Sequence, residues 1–367
     1  MTDANNSPSR NRTRFPGISS RAYEHPADRS ALTALRSMAG FDIVLKKMAG
    51  LFSERSIRLL FLATAVRASE QQFTDIHNMV RDAAYILDLE EVPTLYVQQD
   101  PIPNAFCIGM DKPIIVVTTG LVDLMDEEEL RSVIGHEVGH AMSGHAVYRT
   151  MLLILTRLAT ALAWLPLGTI AIRALILALL EWFRKSELSC DRAGLLVGQD
   201  LQASQRALMK LAGGAHLAEM NIDAFLKQAE EYRNTSDVRD SVLKVLAVLP
   251  QSHPFTAVRC AELKEWVESG DYERILEGEY PRREDDRSSS IREEFKKGAD
   301  HYADKAKSSS DPLLGILKDV AGGAGDVGSR LRNVFTGSRS GGGDGGNRDE
   351  DNRGNNGDSW SRSTDDQ

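Results

Sequence analysis

The sequence predicts an α+β fold, mostly helical, with a small sheet beside the helix that carries HEVGH and a hydrophobic helical hairpin inserted after that helix. Three observations predict it. Apolar residues recur at helical spacing from Tyr23 to about Leu89 and again from Leu130 to about Tyr272. Short β-branched runs punctuated by Pro101, Pro103, Gly109 and Pro113 fill the interval from Val92 to Leu121. A long apolar stretch, 151–182, separates HEVGH from the next helical pattern.

In chain order, residues 1–21 are rich in Asn, Ser, Arg and Pro and predict a disordered leader, because little there offsets the entropy of ordering. The N-terminal helices are carried by Leu32, Leu35 and Met38 and by Phe73, Ile76, Met79, Val80, Ala83 and Ile86. PTLYVQQ, NAFCIGM and PIIVVTTG then read as three short strands. Asp126 stands three residues before Glu129 as a helix-capping pair, and Leu130, Val133, Ile134, Val138, Ala141 and Met142 give the following helix one apolar face. RKSELSCDRAGLLVGQD reads as a further helix. The expected domain spans 22–283, with 151–182 as its hairpin insertion. Residues 284–367, charged and then Gly-rich, predict a mostly disordered tail with one short apolar patch from Leu313 to Val320.

Composition excludes several classes. Hydrophobic residues make up 42% of the chain, enough for a sizeable core, while a net charge of -9 gives no electrostatic reason to expect nucleic acid as a partner. Cys107, Cys190 and Cys260 are odd in number and widely spaced, which suits buried thiols in a reducing compartment. The arginines near the N-terminus are followed by no apolar run, so no signal peptide is expected and the expected location is cytoplasmic.

The chemistry is carried by HEVGH. Residues four apart on a helix share a face, so His136 and His140 can put two imidazole nitrogens on one tetrahedral zinc ion, and Glu137, rotated by about 100° from His136, can reach a water there without becoming a ligand. Zinc brings the pKa of its water from about 15.7 toward about 7, and a neighbouring carboxylate takes the proton as that water attacks a carbonyl. A five-residue pattern also arises by chance; Ile134, Val138 and Ala141 argue against chance, since they make the helix part of a core. His145 misses the register of a metzincin third histidine, and along a continuing helix it would point away, so its expected role is a cap or a structural hydrogen bond. Glu187 is the preferred third ligand, because Asp191 follows four residues later and can accept a hydrogen bond from the far nitrogen of a liganding imidazole. The alternative is an exposed, mutually repulsive pair of acids.

NAF at 104–106, VVTTGL at 116–121, ELRSVIGHEVGH, the SELSCDRAG block and SHPFTAVR at 252–259 follow one another in this chain. Together they resemble the gluzincin peptidases that include the bacterial heat-shock protease HtpX and the CAAX prenyl endopeptidases, over roughly Leu89 to Lys264. The resemblance implies a zincin-like fold with one Zn2+ per chain held by His136, His140 and Glu187. It implies Glu137 as catalytic base, Asp191 as the residue orienting a ligand histidine, and His253 and Arg259 reaching the cleft to stabilise an oxyanion or order the site. It also implies that Asn104, Ala105 and Phe106 lie on a strand bordering the cleft, where an extended polypeptide substrate pairs with the sheet edge. Cys190 departs from the family pattern, which usually has alanine there.

The stretch 151–182 is too short for two crossings at about 20 residues each, and a single crossing would separate His140 from Glu187. Arg157, Pro166, Gly168 and Arg173 interrupt it, so a hairpin turning near Pro166 is expected, either dipping into one leaflet or packed in the core. Relatives commonly use this insertion as membrane helices, which implies peripheral or monotopic contact with the cytoplasmic face of the membrane. The expected activity is a zinc metalloendopeptidase acting on extended or unfolded polypeptides in membrane or general protein quality control. The rival is a proteolytically silent, zinc-stabilised membrane scaffold, which has no requirement for Glu137. A processor of prenylated peptides fits less well, because the insertion is short for an intramembrane chamber.

Overall fold

The computed structural model describes residues 11–38, 41, 44–46, 54–161, 169–234 and 255–286. Helix α1 (Pro26–Arg36) starts at a His-Pro step, with His25 Nδ1 accepting from Ala27 N at 3.1 Å. Then come α2 (Glu54–Thr64), β1 (Val66–Arg67) and α3 (Thr74–Ile86). The three expected strands form as β2 (Thr94–Gln98), β3 (Ala105–Ile108) and β4 (Ile114–Thr118). The sheet order is β1-β2-β4-β3, with β2 and β4 parallel and both other pairs antiparallel. Beyond it lie α4 (Thr119–Leu124), α5 (Glu127–Met142), α6 (His145–Ala161), α7 (Thr169–Gly198), α8 (Leu201–Gly213), α9 (Ile222–Asn234), α10 (Thr256–Glu268), α11 (Asp271–Leu276) and α12 (Arg283–Asp286).

Strand alternation divides the sheet into two apolar faces. Leu95, Val97, Ala105, Cys107, Ile115 and Val117 belong to the main core with α3, α5 and the end of α7. Tyr96, Ile108, Ile114 and Val116 face Phe61 of α2. Leu59, Leu60 and Leu62, on the same helix, are exposed. A separate core joins Ala31 and Leu35 of α1 to Tyr148, Met151 and Leu155 of α6 and Leu175, Leu179, Trp182 and Phe183 of α7.

Two expectations are corrected here. The leader expected to run to residue 21 is placed from residue 11 onward: Phe15 and Ile18 are fully buried, Phe15 N donates to Ile86 O at 2.9 Å, and Ser19 N donates to Pro281 O at 3.0 Å. Burying two such side chains contributes roughly 1.5–3 kcal/mol each, which a composition average over polar neighbours conceals. The later part of the apolar stretch, from Thr169, and the SELSCDRAG block, read as separate pieces, lie on one helix of 30 residues, α7, while residues 151–161 belong to α6. The turn expected near Pro166 lies outside the described residues. Among the described residues no helix is long and apolar enough to cross a membrane.

The site is positioned by α5 and α7. At the start of α5, Asp126 Oδ1 accepts from Glu129 N and Glu129 Oε2 accepts from Asp126 N, each at 2.9 Å, so the capping pair closes as a box. Glu129, fully buried, also receives Lys210 Nζ at 2.6 Å and Arg206 Nε at 3.0 Å from α8. Along its length α5 packs on α7 through small residues. A Cβ built on Gly135 would stand 2.6 Å from Val197 Cβ, one on Gly139 2.6 Å from Ala193 Cβ, and one on Gly194 2.6 Å from Ser132 O. Only glycine permits the two backbones this close, and the closeness lets side chains from both helices meet at one point.

Candidate metal centre

His136 and His140 sit one turn apart on α5, and Glu187 on α7 faces them. Nε2 of His136 and Nε2 of His140 are 3.1 Å apart; Glu187 Oε1 lies 3.2 Å from His140 Nε2, and Glu187 Oε2 lies 3.5 Å from His136 Nε2. Ligands about 2.05 Å from a tetrahedral ion are separated from one another by about 3.3 Å, so these three donors bracket the spacing a zinc-like ion requires. All three side chains are buried with their donor atoms turned to one another, an arrangement that a shared cation would stabilise. The residues present therefore fit a divalent metal.

The electrostatics point the same way. Burial would lower the pKa of His136, but the Glu187 and Asp191 carboxylates outweigh it and raise the imidazole to about 9. Burial, reinforced by the charge on His136, holds His140 well below its ordinary value. A metal bound between the helices would displace the His136 proton. On the far side of His136, Nδ1 meets Asp191 Oδ1 at 2.9 Å. Burial would raise the Asp191 carboxyl, yet Arg259 beside it holds it below its ordinary value. Arg259 of α10 donates from Nε to Asp191 Oδ2 at 2.7 Å and places NH1 3.0 Å from Glu187 Oε2. Its guanidinium is buried and engaged with these two acids.

Glu137 is fully buried and, with His136, lines a cavity of about 430 Å³ that Asn104, Ala105, Asp191 and Arg259 also border. The Phe106 ring, on the same strand as Ala105, turns to the other face: it is 6.1 Å from Phe61 and lies under Arg149. Strand alternation turns it from the face that Ala105 shares with Cys107. His253 lies outside the described residues.

Three residues near the site had not been read from the sequence in these places. Arg149, on α6 and buried, brings NH1 to 3.9 Å from Glu137 Oε2 while its guanidinium lies 4.9 Å from the Phe183 ring. The continuing helix expected through His145 is overturned, because Gly144 at φ +69° ends α5 and restarts the chain in a new direction. His145 Nδ1 consequently returns to 3.2 Å from His140 Nδ1 and 3.5 Å from Cys190 Sγ. Asp28 of α1 reaches His145 Nε2 at 3.3 Å. Gly144 was the readable signal for the bend; nothing local to Asp28 announces its contact.

A helical fold with a small mixed sheet, in which two histidines of HEVGH face a buried glutamate, is the arrangement of one class of metal-dependent peptidase. The model of Peptidase family M48 matches residues 70–267, and the chain belongs to that family, as an HtpX-like metallopeptidase. A plastoglobule-localized metallopeptidase 48, chloroplastic, of Arabidopsis thaliana is 36% identical over 272 residues, which cover 71% of this chain and 77% of that protein. A protease HtpX homolog of Caldanaerobacter subterraneus is 38% identical over 96 residues, 26% of this chain and 32% of the relative, and one of Streptococcus gordonii is 36% identical over 95 residues, 23% and 32%. The chain thus matches about a third of the length of these two HtpX homologs. No solved structure matches the chain.

Proposed function

We propose that this metallopeptidase is a zinc endopeptidase whose single Zn2+ is held by His136 Nε2, His140 Nε2 and Glu187. The observation that carries the reading is the mutual spacing of those three buried donors, 3.1 to 3.5 Å. Zinc, when bound, supplies a Lewis acid and a water acidic enough to be deprotonated near neutral pH. Glu137 is the general base: it takes the proton of the attacking water and returns it to the leaving amine. Asp191 fixes the His136 tautomer by accepting from Nδ1, and Arg259 orders Asp191 and Glu187, a positioning role that its two ion pairs support over direct oxyanion contact. His253 keeps the role the resemblance implies, reaching the cleft near the oxyanion.

Asn104 and Ala105 border the same cavity as Glu137, which supports an extended or unfolded polypeptide substrate lying along β3, with backbone pairing that tolerates many sequences. The zincin-like peptidase unit runs to about residue 283, with 284–367 as a tail, and the hydrophobic insertion at 151–182 makes peripheral contact with a membrane on its cytoplasmic side, in protein quality control. Exposed Leu153, within the insertion, supports the membrane contact, and three buried free cysteines support a reducing compartment. A membrane pellet that lost the protein in a carbonate wash would agree with peripheral contact; a protein found wholly in the supernatant before the wash would not.

The test of mechanism is Glu137→Gln. The variant binds one zinc per chain and leaves unfolded casein intact, whereas wild type cleaves it. Equal cleavage by variant and wild type refutes Glu137 as base, and a wild-type protein that holds zinc without producing fragments is a scaffold.

A further inference from the structure

Helix α1 lies outside residues 70–267, the span matched by the family model, yet one of its side chains reaches into the back of the metal pocket. Asp28 is 1% exposed, and its Oδ2 lies 3.3 Å from His145 Nε2 and accepts from Ser189 Oγ at 2.6 Å. Ser189 Oγ in turn accepts from His25 N at 2.9 Å, so the carboxylate is held from two sides. His145 is 3% exposed, and Trp182 meets its ring edge-on at 5.3 Å.

The proton positions follow from one premise, that His140 ligates through Nε2, so this inference rests on the metal-centre reading above. With Nε2 given to a metal, the neutral His140 ring carries its proton on Nδ1 and must donate it. His145 Nδ1, at 3.2 Å, is in reach to accept it. A neutral His145 that accepts at Nδ1 carries its own proton on Nε2, and that nitrogen faces Asp28. The thiol of Cys190, 3.5 Å from the same Nδ1, shares the acceptor without changing the assignment. We infer that Asp28 is a positioning residue for the metal ligand His140, acting through His145 by fixing the tautomer and orientation of both rings.

His136 has its carboxylate directly, in Asp191. His140 has one at a remove, with a second imidazole between them. Carboxylate partners of ligand histidines aim the ring and raise its basicity. The N-terminal segment therefore helps build the metal site as well as the core.

His140, His145 and Cys190 also satisfy the distances of a metal cluster in their own right. His140 could serve both clusters only by losing both ring protons, and the neutral hydrogen-bonded chain needs no such loss. The two arrangements differ in stoichiometry, one ion per chain against two.

The experiment uses the full-length chain loaded with zinc, then with cobalt as a spectroscopic substitute, in wild type, Asp28→Ala and Asp28→Asn. Asp28→Ala removes the acceptor and is expected to weaken zinc binding about 10–100-fold, to shift the cobalt absorption bands, and to lower kcat on unfolded casein with KM unchanged. Asp28→Asn keeps an oxygen in place of Oδ2 and restores most of the lost affinity. Wild-type affinity and an unaltered cobalt spectrum in Asp28→Ala overturn the inference, as do equal losses in Ala and Asn, which would mark a packing or charge effect. If Asp28→Ala does not fold, 15N-histidine spectra of the zinc-loaded wild type decide: His145 protonated on Nε2 alone supports the inference, and protonation on Nδ1 overturns it. Two zinc ions per chain likewise overturn it. A wild type that binds no zinc, or a His140→Ala variant that binds it unchanged, refutes the metal-centre reading itself, an outcome distinct from a silent Asp28 in a zinc-binding protein.

Discussion

Replacing Gly139 by alanine tests whether the close approach of α5 and α7 sets the metal geometry. The new methyl carbon would stand 2.6 Å from Ala193 Cβ and 3.5 Å from the Cys190 Cα. Carbon atoms rest about 3.5–4.0 Å apart, so the helices must separate locally by about 1 Å, and neither neighbour is a flexible side chain that can swing aside. His140 is adjacent on α5, while Cys190 and Ala193 stand within two turns of Glu187 on α7, so the displacement is delivered to the ligands themselves. Metal–ligand distances tolerate only about ±0.2 Å. Stability changes less: overpacking costs about 1–3 kcal/mol, and replacing glycine in a helix by alanine returns about 1 kcal/mol. The net loss of at most about 2 kcal/mol corresponds to a fall of roughly 4–8 °C in the midpoint of the metal-free protein. A 1 Å misplacement at a catalytic centre costs on the order of 100-fold, and that is the loss expected in zinc affinity or casein cleavage. Gly198→Ala is the control, because its nearest neighbour, Ser132 Cβ, is 3.8 Å away and makes an ordinary contact. Competition titration against a chromophoric chelator measures affinity in both variants. Wild-type zinc affinity in Gly139→Ala, or equal losses in the two variants, refutes the reasoning.

Two further perturbations follow from the ion pairs. Arg259→Met strips the guanidinium from buried Asp191 and Glu187, which costs about 3–5 kcal/mol in the metal-free protein; zinc lessens the loss by supplying Glu187 with a cation, and Arg259→Lys fails to restore stability because one ammonium cannot span both acids. Denaturant unfolding with chelator and with zinc measures both, and a lysine variant as stable as wild type contradicts the assignment. Asp88 accepts from Gly17 N at 2.7 Å and pairs with Arg14 and Arg283; burial opposes ionisation, but these partners hold its pKa below the ordinary 3.8. With the folded pKa depressed, its contribution is fully present above 3.8 and is lost as pH falls through the lower folded value. The stability gap between wild type and Asp88→Ala should therefore be constant near neutral pH and shrink in acid; a gap that widens as pH falls would reverse the sign.

What could be read in the sequence was what is local. HEVGH puts its histidines on one face because four residues nearly complete a turn, the Asp126–Glu129 box closes within three residues, and the strands announce themselves by β-branched runs between prolines and glycines. Glu187 was reachable because Asp191 repeats on the same helix face, and both meet His136. The unread part depends on contacts between distant segments. Phe15 and Ile18 bury against Ile86 and the segment at 281–282, and their polar neighbours dilute that signal. Asp28 meets His145 only after α1 packs on α7, and Arg149 meets Glu137 only after the chain bends at Gly144. Phe106 was within reach of strand alternation, which sends it to the face opposite Ala105.

The central claim is that His136, His140 and Glu187 share one zinc, and zinc K-edge absorption of the full-length protein carrying one equivalent of metal tests it most directly. A shell of nitrogen and oxygen alone, at about 2.0–2.1 Å, with two imidazoles, is the expected result. A sulfur scatterer near 2.3 Å would put the ion in the cluster of His140, His145 and Cys190 and contradict the account.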